Sequence, residues 1–161
     1  MRTIPALALA ATIVLSACAQ RAMEVDTGDI EVMSWRASIA RSATADSLVA
    51  PAALVGSLVV RPGADLSTTS ATLMLSNAVP NSTHPWHIHT GSCENTGGIV
   101  GPATAYRPLQ IGADGRGEAT VTLPFSTPTT GDYSVNVHKS PTELGTIIAC
   151  GPLTLGTSSM R

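Results

Sequence analysis

Three of the four histidines in this 161-residue chain are spaced so that they could share one ion. His87 and His89 flank Ile88. In an extended strand, alternate side chains point to opposite faces, so the two imidazoles look one way and Ile88 the other. His138 ends the run Tyr133–His138, in which Val135 and Val137 alternate toward a core while Ser134, Asn136 and His138 share the outer face. Two imidazoles from one strand and one from a distant strand can converge on a single metal. Imidazole suits copper, zinc, iron and nickel, so this spacing defines a ligand set before it defines the metal. The fourth histidine, His84, reads as a loop residue hydrogen-bonded to backbone. Its functional alternatives are ligation of the ion and a supporting position behind the ligands.

The elements that must carry these residues are short strands. Val55–Arg61 is an apolar-rich strand closed by Pro62 and Gly63, and Ser70–Leu75 is the next. Trp86–His89 follows, then a stretch dense in glycine and proline from Gly91 to Pro108. Leu109–Gly112 and Glu118–Leu123 flank Asp114, Gly115, Arg116 and Gly117, a hairpin signal, with Ala119, Val121 and Leu123 predicted to face inward. Tyr133–His138 and Thr146–Cys150 complete the set. No helical periodicity stands out beyond Leu54, and the spacing predicts an all-β sandwich or barrel.

Residues 1–18 read as a targeting segment, a lipoprotein signal peptide. Arg2 precedes an almost unbroken apolar run from Ile4 to Leu15, too short for a spanning helix of about 20 residues. Leu15-Ser16-Ala17-Cys18 resembles the lipobox of bacterial lipoproteins, which implies cleavage after residue 17 and a lipid on Cys18. That resemblance places the protein in the bacterial cell envelope, held by its lipid at the outer membrane and facing the periplasm. Three cysteines is an odd number for an exported chain. If Cys18 carries lipid, Cys93 and Cys150 remain, and a disulfide between them would persist in an oxidising compartment. Residues 19–50 read as a tether. Within them Ile30–Ile39 fits either an alternating strand or a helical face, and residues 51–161 form the expected domain. A net charge of −2 gives no basic surface for nucleic acid.

The segment His84-Pro85-Trp86-His87-Ile88-His89-Thr90-Gly91-Ser92-Cys93 resembles the first copper-ligand motif of copper/zinc superoxide dismutases. Pro85 stands where a glycine is usual. Ala113–Ala119 is similar to that family's hairpin between the zinc and copper regions, and Val137-His138 to the strand carrying its last copper ligand. Leu144-Gly145 and Ala149-Cys150-Gly151 resemble its closing motifs. The likeness runs in order from Val55 to Leu153. It implies a Greek-key, immunoglobulin-like β-sandwich or flattened barrel with short loops. It also implies one copper held by His87, His89 and His138, and a Cys93–Cys150 disulfide.

The departures bear on activity. No histidine lies between Cys93 and Asp114, so the family's bridging and zinc histidines have no counterparts and a zinc site is not expected. The stretch from His138 to Cys150 is short, and Ile147 stands where the family carries its active-site arginine. The expectation is an exported, copper-only, dismutase-like lipoprotein acting on superoxide. The alternative is an envelope protein that buffers copper or passes it between a donor and an acceptor. Chordin-type domains offer a second resemblance, through His87-Ile88-His89-Thr90-Gly91 and Asn136-Val137-His138, but they lack the cysteine pair.

Overall fold

The computed structural model describes residues 30–160 of the chain. The segment expected to be a signal peptide and Cys18, the expected lipid site, lie outside them. Eleven strands occur among the described residues: β1 Ile30–Arg41, β2 Val55–Pro62, β3 Thr69–Ser76, β4 Thr83–His84, β5 Trp86–Gly91, β6 Thr96–Ile99, β7 Leu109–Gln110, β8 Gly117–Leu123, β9 Tyr133–His138, β10 Ile147–Pro152 and β11 Thr154–Met160. One 3-10 turn, Ala103–Ala105, is the sole helical element among them.

Nine strands make a single curled antiparallel sheet, a flattened barrel of the all-β kind expected. Its order is β6-β5-β9-β10-β1-β2-β3-β8, with β11 pairing the first half of β1. Alternation puts Leu58 and Val60 of β2, Ala71, Leu73 and Leu75 of β3, and Val121 and Leu123 of β8 into one core. Ala119 packs against it. Trp86 is the largest fully buried side chain. Its indole N–H would be costly to bury without a partner, and it donates to the Arg107 carbonyl at 2.9 Å.

The structure corrects the tether. From Ile30 onward the chain is a twelve-residue strand inside the sheet, pairing β2, β10 and β11. Trp35, Ala37 and Ile39 are buried, lying opposite Val60, Leu58 and Gly56. The alternation was present but diluted by small residues, and pairing with β2 decides it over the helical alternative. At the end of β1, Arg41 donates to the carbonyls of Ala45 and Ala50, and this holds the 42–54 loop to the end of the barrel.

The Asp114–Gly117 turn forms, with Gly115 at φ +75°, a conformation glycine adopts without strain. Its arms separate, however: β8 pairs β3, whereas β7 pairs β4 in a small second sheet. The turn is therefore a corner between two sheets and not the tip of a hairpin ladder.

Candidate metal centre

β5 and β9 are neighbours in the sheet, and their register builds the site. His87 lies opposite Asn136, Ile88 opposite Val135 and His89 opposite Ser134. Ile88, Val135 and Val137 fill the core, as alternation requires, and the other face carries His87, His89, Ser134, Asn136 and His138. That second face was expected to be outward. Instead all five residues are buried.

The cover comes from the segment following β5. The disulfide Cys93–Cys150 joins it to β10. Cys150 is the ladder partner of Asn136, so the covering segment crosses the histidine face. Thr96 and Gly97 then bond down onto that face through Asn136 and His89. Tyr106 closes another side. Its ring meets His87 and Trp86 edge-on at 5.3 Å each, and its hydroxyl donates to the Val100 carbonyl at 2.7 Å. Burial pushes the Tyr106 hydroxyl above its ordinary range.

The structure brings together the three histidines singled out from the sequence. One nitrogen from each of His87, His89 and His138 lies within 4.8 Å of the others. His87 Nδ1 and His138 Nε2 face each other at 3.1 Å. Two ligand nitrogens about 2 Å from a shared ion stand roughly 3.4 Å apart, so this spacing is already close to that of a coordination sphere. His89 Nδ1–H donates to the Gly97 carbonyl at 3.0 Å. A carbonyl only accepts, so the bond fixes the tautomer and leaves the His89 Nε2 lone pair free. That atom is buried with no partner in the protein. A buried, unpartnered nitrogen is unfavourable in an empty protein, and a metal ion would relieve it.

Electrostatics point the same way. Burial, reinforced by the neighbouring His138 and His89, lowers His87 from 6.5 to about 4. Burial lowers His138 as well. Both rings are neutral at pH 7, the form that ligates metal. With nitrogen donors alone and no thiolate or carboxylate among them, the set suits copper and zinc better than calcium or magnesium.

His84 is buried and outside the cluster. Its Nδ1 donates to the carbonyls of His138 and Lys139 at 3.1 and 3.0 Å, and its Nε2 meets Ser82 Oγ at 2.8 Å. It supports the backbone of a ligand and does not join the ligands. The Gly97 carbonyl, Thr96, Asn136 and Tyr106 were not read from the sequence as parts of the site. Only Asn136 left a signal there, by sharing a face with His138. The chain matches no protein-family model and no curated protein.

Proposed function

We propose that this protein is an exported copper protein whose His87, His89 and His138 hold one copper ion and act on superoxide. The observation that carries the reading is the convergence of three buried imidazoles with no acidic or thiolate partner among them. Copper(II) stands near the top of the divalent affinity order, so an all-imidazole set retains it against zinc when both are present. Bound there, copper supplies one-electron chemistry: one superoxide is oxidised to dioxygen, and a second takes that electron with two protons to become hydrogen peroxide.

The chain's own part is to bind and orient. The Gly97 carbonyl holds the His89 ring with Nε2 inward, and His84 holds the backbone of His138. Tyr106 and the segment through Cys93 exclude bulk water from the rings. The disulfide accords with an oxidising compartment, and a lipid on Cys18 would keep the protein at the membrane surface.

One observation favours the buffering alternative. Lys139, next to His138 in sequence, is ion-paired to Glu143 at 2.7 Å. Its charge is therefore largely neutralised and adds little to the positive field that speeds anion capture.

Copper titration of the purified protein tests the metal reading, and superoxide decay tests the activity. We expect one copper per chain and weak zinc binding. Replacing His87, His89 or His138 by alanine should each weaken copper at least about 100-fold, beyond what losing a ligand's supporting hydrogen bond costs. Superoxide decay no faster than with peptide-bound copper would leave the buffering role. Full copper binding by His138→Ala would refute the ligand set.

A further inference from the structure

Asn136 stands at the middle of the metal centre, and nothing in the protein occupies its side-chain oxygen. The ladder fixes this position. On one face of the sheet β5 carries His87 and His89, while β9 carries Ser134, Asn136 and His138. His89 lies opposite Ser134, and His138 lies two residues beyond Asn136 in the other direction. These two histidines thus sit at opposite ends of the patch, yet their ring centroids are only 6.0 Å apart. The centroid of His87 is 5.9 Å from His89 and 5.1 Å from His138. Both outer rings must lean inward, over the point where His87 faces Asn136. Directly opposed side chains in an antiparallel pair have Cβ atoms about 5 Å apart, so Asn136 lies beside the point of convergence.

The orientation of its amide is also determined. Asn136 Nδ2 donates to Thr96 Oγ1 at 3.1 Å, and Thr96 Oγ1 donates in turn to the Ser92 carbonyl at 3.4 Å. With its one proton directed at a carbonyl, the threonine oxygen is left to accept, and the amide nitrogen must be the atom facing it. The amide oxygen is therefore the free end. It is fully buried and has no hydrogen-bond partner, a costly state for an acceptor.

We infer that Asn136 Oδ1 is a fourth contact of the metal centre, engaged by divalent copper and released by monovalent copper. This rests on the copper reading above. Divalent copper takes tetragonal sets of nitrogen and oxygen donors, whereas the softer monovalent ion gains little from an amide oxygen. The chain has no fourth histidine at the site; of the two unpartnered oxygens on this face, Ser134 Oγ lies at the His89 end and Asn136 Oδ1 at the centre, so Asn136 completes the set.

The test compares wild type with Asn136→Val and Asn136→Asp, each titrated with Cu(II) and, under reductant, with Cu(I). For Asn136→Val we expect a Cu(II) affinity lower by about tenfold with Cu(I) affinity unchanged. A tenfold selective loss raises the one-electron midpoint potential by about 59 mV. The Cu(II) electron paramagnetic resonance spectrum should change with it, and Asn136→Asp should restore Cu(II) binding and lower the potential. Equal losses for both oxidation states would make Asn136 purely structural and overturn the assignment. An unchanged potential and spectrum would mean that only water meets the amide oxygen, and would overturn it too. A wild-type protein that bound no stoichiometric copper would refute the copper reading itself. If Asn136→Val fails to fold, Thr96→Val frees the amide from outside the ladder and should shift the potential in the same direction. No shift there counts against the assignment.

Discussion

The imidazole of His84 is bound to the backbone of the residue that supplies the third ligand: its Nδ1 donates to the His138 carbonyl at 3.1 Å. The same nitrogen reaches the Lys139 carbonyl, and the His138 N–H donates to Pro85 next door. The short strand β4 is thereby bonded to the C-terminal end of β9, where the ladder with β5 runs out. We predict that His84→Ala lowers stability by about 1–3 kcal/mol, the cost of leaving buried acceptors without a donor. Copper stoichiometry should stay at one per chain. Urea unfolding and copper titration of the same variant decide it: loss of the metal with stability intact would make His84 a ligand.

Burial of the imidazoles makes the metal-free protein sensitive to acid. His87 titrates at about 4 in the fold, against 6.5 ordinarily, so its folded value is depressed. Between those values the unfolded chain binds a proton that the folded chain refuses, and stability must fall as pH falls. The contribution is fully present above pH 6.5 and lost by about pH 4. A shift of this size corresponds to on the order of 3 kcal/mol, and the lowered His138 acts in the same direction. Urea midpoints of the metal-free protein at pH 7, 6, 5 and 4 should decline steadily, and the decline should be shallower in His87→Leu. Parallel profiles for the two proteins would show that the ring is not shielded from solvent.

Much of the site was legible because β-strand alternation is a local rule. His87 and His89 share a face, Ile88, Val135 and Val137 face the core, and Tyr133–His138 is a strand with the bounds expected. Local rules could not say what lies above a face. Asn136 and Ser134 are buried because a glycine-rich segment with no strand signature of its own folds over them, held by a disulfide to β10. β6 within that segment is Thr96–Ile99, two of whose four residues are glycine, so no apolar pattern marked it. β1 was obscured differently. Its inward residues Trp35, Ala37 and Ile39 are unequal in size, and only the partner strands show that the alanine is core.

The disulfide carries the last prediction. Cys93 and Cys150 are 57 residues apart in sequence, and the loop they close begins just after β5 and contains β6 to β9. In the chain-entropy description, closing a loop of this length stabilises the fold by about 4 kcal/mol. The bond also has a local task. It fixes the segment whose Thr96 holds the Asn136 amide and whose Gly97 carbonyl orients His89. Replacing both cysteines with serine should therefore act twice: on global stability, and on copper affinity through the freed His89 ring. Loosening a hydrogen bond that orients a ligand typically costs 10- to 100-fold in metal affinity, and we expect a loss of about that size. Competition titrations far below the unfolding midpoint separate the two effects, because they report on folded protein only. Lower stability with unchanged affinity would mean that Gly97 keeps its place without the bond. The covering segment would then be held by its own hydrogen bonds and by the packing of Tyr106 against His87 and Trp86.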